Sequence, residues 1–139
     1  MTSTASDEPL GQHEQTSSMS APAATSELAS IRRWARRVLE DQGAADHLVD
    51  DFELAASELA TNVIRHTASA TIQLWITRDT NPWILDVAAA EHAPPPAARR
   101  RPPPDEPTGR GLYVVSSVMD RVDLVDVGGV RRVRCTRVD

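Results

Sequence analysis

Apolar residues recur along this chain in two periods, and the change between them separates predicted helices from predicted strands. Leu28, Ile31, Ala35 and Val38 fall at helical spacing, with Arg32, Arg33, Arg36 and Arg37 on other faces. This pattern predicts a helix capped by Thr25 or Ser26 and running to about Gln42, where Gly43 is a natural stop. Leu28, Ile31, Trp34 and Val38 are its simplest core residues. A second helix is expected from Asp46 to about His66, with Leu54, Leu59 and Val63 turned into the core.

The period then falls to two. Thr71 to Arg78 alternates, with Ile72, Leu74 and Ile76 on one face of a strand. Asn81-Pro82 marks a turn, and Trp83 to Ala89 reads as the returning strand of an antiparallel hairpin. Residues 91–108 show neither period and hold seven prolines between Pro94 and Pro107. Loops longer than about 12–15 residues are uncommon and tend to be functional or disordered. A lid and a tolerated insertion are equal readings of this one. A third helix is expected from Gly109 to about Met119, with Leu112, Val115 and Met119 inward. Arg121 to Val127 and Val130 to Val138 read as a last hairpin turning at Gly128-Gly129.

The order helix, helix, hairpin, lid, helix, hairpin implies an α+β fold. It is a two-layer α/β sandwich, with helices on one face of a mostly antiparallel sheet. Residues 1–24 are rich in Ser, Thr, Ala, Gln and Pro and are expected to be a disordered tail before one domain spanning 25–139.

Composition narrows the chemistry. The chain has 139 residues, a formal charge of −5 and no apolar run near the ~20 residues of a membrane span. No basic segment followed by an apolar one opens it, so a cytoplasmic location is expected. Cys135 is its single cysteine, which leaves no internal disulfide and no cysteine-based zinc site. The acidic balance opposes direct nucleic-acid binding, and only Arg99-Arg100-Arg101 and Arg131-Arg132 favour it. All fifteen basic residues are arginine. Without lysine there is no P-loop and no Schiff base. Phosphate handling must then use arginine, magnesium or backbone N–H groups.

The candidate chemistry sits in Ser57 to His66. Glu58 and Asn62 are one turn apart on the second helix, and His66 is one turn further. A stacked carboxylate and carboxamide are hard oxygen ligands, suited to a magnesium-bound phosphate. Taken alone, the pair reads more simply as a solvated helix face. Downstream, Thr108-Gly109-Arg110-Gly111-Leu112 leads from the proline-rich loop into the third helix. A helix N-terminus offers free N–H groups and a positive dipole end to an anion, and glycine permits close approach.

With these two motifs flanking a strand pair and a lid, the chain resembles the ATP-binding fold shared by gyrase, the Hsp90 chaperones and histidine kinases. More narrowly it resembles the small anti-sigma-factor serine/threonine kinases of bacteria. The resemblance covers about residues 25–138. It implies that Asn62 binds the Mg that bridges the ATP phosphates, and that Glu58 is the general base for an attacking serine or water. Gly109, Gly111 and the adjoining Leu112 would bring backbone to the phosphates, Arg110 would reach one of them, and His66 would line that end. The implied reaction is phosphoryl transfer to an anti-anti-sigma protein, coupled to sequestration of a sigma factor. Members of the family often pair as homodimers.

The chain departs from this pattern where adenine is read. The family carries an aspartate at the end of the second hairpin strand, and alignment puts Ala89 there. Asp86 is three residues earlier and should face the other way; Glu91 shares the parity of Ala89 but lies two residues on. In the last hairpin the family often has Gly-Lys-Thr, and this chain has Gly129-Val130-Arg131. Two readings follow: a kinase acting by partner switching, and a non-catalytic binding module of the same fold.

Overall fold

The computed structural model describes residues 14–67, 70–79, 82–89 and 107–138, with side chains for all of these except 14, 79 and 107–110. The described elements are β1 (Glu14–Pro22), a 3-10 turn (Thr25–Glu27), α1 (Leu28–Asp41), α2 (Asp46–His66), β2 (Thr71–Asp79), β3 (Trp83–Ala89), α3 (Pro107–Val118), β4 (Arg121–Val127) and β5 (Val130–Arg137). The strands form one sheet in the order β1-β2-β3-β5-β4, and every pairing is antiparallel.

Strand parity sets the layers. Ile72, Leu74 and Ile76 of β2 lie opposite Ala89, Val87 and Leu85 of β3. All of these except Ala89 are buried, together with Trp83 and with Cys135 of β5. They form one core with Ile31, Ala35 and Leu39 of α1, the α2 run from Leu48 to Ala60, and Val115 and Met119 of α3. Gly43 ends the α1 region at φ 82 and Gly128 and Gly129 turn the last hairpin at φ 58 and 84, a left-handed backbone that glycine adopts without strain.

Arg36 ties the first two helices together, donating to Asp50 at 2.8 Å and Glu53 at 2.7 Å on α2 and to Glu40 at 3.2 Å on its own helix. Its hydrogen bonds to these carboxylates, Glu53 first, raise its guanidinium pKa further. On the opposite side of the sheet, Trp75, Asp86, Arg134 and Asp123 are in register across four strands.

Four expectations change. Glu14–Pro22 is an ordered strand inside the segment expected to be disordered. Its Ser17, Met19 and Ala21 alternate toward Ile76, Leu74 and Ile72, and backbone pairing replaces the missing apolar content; residues 1–13 lie outside the described residues. Neither Thr25 nor Ser26 caps a helix by its side chain: the chain enters through the 3-10 turn instead. Leu54 is exposed because it shares the stripe of Glu58 and Asn62, while Phe52, Ala55, Ala56 and Leu59 take the buried face. Leu112 is exposed too, since Gly111 takes the inward position one turn before Val115 and two before Met119. The expected lid at 91–108 lies outside the described residues up to 106; Pro107 and Thr108 already belong to α3.

Candidate phosphate-binding site

The site begins with the spacing on α2. Glu58 and Asn62 are both half-buried and lie one turn apart. Thr61 donates to the Ser57 carbonyl at 2.7 Å, and Arg32 of α1 donates to the Ser57 hydroxyl at 3.3 Å. The residue before Glu58 is thus held to the neighbouring helix.

Facing this stripe is Gly111, which is buried. A methyl group placed on Gly111 would stand 2.9 Å from Glu58 Oε1 and 3.7 Å from Asn62 Oδ1. The absence of a side chain lets the α3 backbone reach the carboxylate and the carboxamide together. The two motifs, about fifty residues apart in sequence, therefore meet in space.

Helix α3 starts at Pro107, two residues earlier than the pattern suggested. Proline suits a first helical position, having no N–H to leave unpaired. This start divides the work of the two glycines. Gly109 lies in the first turn, where backbone N–H groups have no partner within the helix. Gly111 lies past it, where its own N–H belongs to the helical ladder, so its part is close approach. The backbone of Arg110 is in the first turn; its side chain lies outside the described residues.

A second contact fixes how α2 and α3 lie. Arg137 Nη1 donates to Asp51 of α2 and, at 2.8 Å, to the carbonyl of Val118, the last residue of α3. Glu58 lies by Gly111, and Asp51 and Val118 share Arg137, so the two helices run antiparallel. The first turn of α3, its positive dipole end, then comes level with Asn62 beside the oxygen-bearing stripe. His66 ends α2 one turn beyond Asn62 and is exposed, as is Leu112 beside Gly111.

The positions at which the resemblance expects adenine to be read lie on the sheet. Ala89 closes β3 opposite Ile72 and is half-buried on the helix-facing side. Asp86 is on the far side of the sheet, where Arg134 donates to it twice at 2.9 Å and Arg132 once at 3.0 Å. The hydrogen bond to Asp86 is the largest influence on Arg134, whose pKa is raised. Arg132 also stacks over Trp75, 3.6 Å from the ring centre. Asp86 is committed there and cannot stand in for a carboxylate at Ala89. Glu91 lies outside the described residues. Val130 begins β5 opposite Val127, and the exposed Arg131 pairs with Asp126 at 3.4 Å.

The sequence could not indicate Asp51 and Arg137, because their link joins positions 86 residues apart and neither stands in a recognisable motif. Asp86 did carry a signal, as a charged residue in a strand of otherwise apolar character.

Helices α1, α2 and α3 lie over one face of an antiparallel sheet, with an oxygen-bearing helix stripe against a glycine near the start of another helix; this is a two-layer α/β domain. Residues 21–136 match the histidine kinase-like ATPase domain, and the chain belongs to that family. Its fold is similar to a crystal structure of the RsbU and RsbW domains of Rv1364c from Mycobacterium tuberculosis, with a TM-score of 0.65 and 14% identity over 89% of this chain. The chain spans 32% of that one's length. No curated protein matches the sequence. Among the described residues, no helix is long and apolar enough to cross a membrane.

Proposed function

We propose that this protein binds Mg-ATP and acts as an anti-sigma factor serine/threonine kinase, transferring the γ-phosphoryl group to a serine of an anti-anti-sigma protein. The observation that carries the reading is the approach of Gly111 to both Glu58 Oε1 and Asn62 Oδ1. A carboxylate, a carboxamide and the first turn of a helix converge there, and that donor set fits the phosphate end of a nucleotide. Asn62 would hold a magnesium ion, which neutralises phosphate charge when bound. The first-turn N–H groups, including that of Gly109, would bind phosphate oxygens. Glu58 would accept the proton of the attacking serine hydroxyl, and positioning with charge neutralisation would supply most of the rate. His66 and Arg110 belong to the same end of the proposed site.

The expected partners are the antagonist protein and a sigma factor, in the cytoplasm; a homodimer is consistent with the resemblance. The fold likeness to a structure that includes an RsbW domain supports a place in partner switching.

Ala89 favours a second reading, a binding module of the same fold without turnover. A methyl group cannot accept the adenine amino hydrogen, and a buried donor left unpaired costs about 1–3 kcal/mol. Incubating the protein with γ-labelled ATP and a purified anti-anti-sigma protein separates the two. Label on a serine supports the kinase. A stable complex that never acquires label supports the module.

A further inference from the structure

Arg137 lies far from the sequence motifs of the site, at the end of β5 on the helix-facing side of the sheet opposite Trp83. Its side chain is 17% exposed. One nitrogen, Nη1, serves two helices at once: the Asp51 carboxylate on α2 and the Val118 carbonyl at the end of α3. That carbonyl is among the last four of its helix, which have no helical partner, and a cation there also complements the helix dipole. The same corner is stitched twice more. The N–H of Asp120 donates to the Thr136 carbonyl at 2.9 Å, and the N–H of Val138 donates to the Asp120 carboxylate at 2.6 Å.

The spacing links this corner to the site. Asp51 and Glu58 are seven residues apart on α2, and Gly111 and Val118 are seven apart on α3. On both helices that is a rise of about 10.5 Å. The Asp51–Arg137–Val118 junction and the Glu58–Gly111 contact are thus two rungs of one antiparallel pair, at matching heights. A slide of α3 along α2 that breaks one rung displaces the other. Val115 and Met119 pack α3 into the core, and Arg137 adds a polar tie from the sheet to its last residue.

We infer that Arg137 is a positioning residue: by clamping the C-terminal end of α3 to Asp51, it sets where Gly109–Gly111 lies against Glu58 and Asn62. This rests on the phosphate-site reading for its consequence, but the clamp can be observed without nucleotide.

The test uses the whole chain at a temperature where every variant is folded by circular dichroism. Hydrogen exchange is followed at the α3 amides, and Mg-ATP binding by calorimetry, for wild type, Arg137→Ala, Arg137→Lys and Leu39→Ala. Leu39→Ala removes core volume from α1 and controls for general loosening. Arg137→Ala is expected to raise exchange across Gly111–Val118 by on the order of tenfold or more. It should weaken Mg-ATP binding by roughly 10- to 100-fold, in line with the sensitivity of such sites to small displacements. Arg137→Lys, whose ammonium can donate to both acceptors, should recover most of both effects. Unchanged exchange in Arg137→Ala would overturn the inference, and so would equal changes in Leu39→Ala. If Arg137→Ala does not fold, Asp51→Asn replaces it under the same expectations and the same overturning results. Should wild type bind no Mg-ATP, the phosphate-site reading fails, while the exchange result still decides the clamp.

Discussion

Gly111 lies close by Glu58: a Cβ at Gly111 would stand 2.9 Å from the carboxylate oxygen of Glu58. The obstructing atom is the tip of a flexible side chain, so the clash of Gly111→Ala can be relieved by swinging Glu58 aside. Alanine also gains about 1 kcal/mol over glycine within a helix. Gly111→Ala is therefore expected to leave thermal stability within about 1 kcal/mol of wild type. It should lower phosphotransfer by on the order of 100-fold through the displaced carboxylate. Calorimetry and a transfer assay on one preparation check both parts. A variant that transfers at the wild-type rate would show that the contact does not matter to the chemistry.

Glu58→Gln keeps the shape of the side chain and removes its basicity. It should abolish transfer and leave binding of Mg-ATP and of the antagonist within a few-fold. Single-turnover labelling read against equilibrium binding checks this. Equal labelling by mutant and wild type removes Glu58 from the mechanism.

Ala89→Asp places a carboxylate on the helix-facing side of β3, at the strand end opposite Ile72. Pairing an otherwise unmatched amino group recovers about 1–3 kcal/mol, or roughly five- to 150-fold in affinity. ATP should gain and GTP should not. No gain for ATP in a titration would show that this position does not face the base.

Asp86→Ala tests the other face of the same strand. It leaves Arg132 and Arg134 without their shared carboxylate. Breaking a buried ion pair costs about 3–5 kcal/mol, and Arg134, 33% exposed, places this case at the lower end. Urea unfolding should show a loss of about 3 kcal/mol, while Mg-ATP affinity measured on the folded protein stays put. A selective loss of nucleotide binding would instead place Asp86 at the site.

Cys135 supplies a pH dependence. Burial, aided by the nearby charges of Asp86 and Asp123, pushes its thiol up to about 12 from an ordinary value of 9.0. The folded state therefore retains a proton that the unfolded chain has released. Its contribution to stability is complete below pH 9.0 and is lost as pH rises toward about 12. The slope from this group is about 1.4 kcal/mol per pH unit within that window. Cys135→Ala should flatten that part of an alkaline unfolding curve, and a curve of unchanged slope would show that other groups set it. The buried thiol should also resist thiol reagents near neutral pH until the protein unfolds.

The sequence revealed what local periodicity encodes. The α2 stripe was legible because Glu58, Asn62 and His66 repeat at four-residue intervals, and β2 and β3 because their apolar residues alternate. The meeting of Glu58 with Gly111 was foreshadowed by a resemblance, not by spacing, since nothing local joins the two. At Leu54 and Leu112 hydrophobicity does not coincide with burial, because alanines and a glycine fill the inward positions. The strand β1 was invisible because its serines and threonines are held by backbone pairing to β2. Arg137 and Asp51 carried no signal, because ion pairs across 86 residues depend on a fold already formed.

On the proposed reading, the α2 stripe and the start of α3 hold the charged tail of a nucleotide. Calorimetric titration of Mg-ATP and of adenosine into wild type and Asn62→Ala tests it most directly. Wild type is expected to bind Mg-ATP at least about tenfold tighter than adenosine, a difference of about 1.4 kcal/mol, and Asn62→Ala to erase the difference. Equal binding of the two ligands by wild type, or a preference for Mg-ATP untouched by Asn62→Ala, would contradict it.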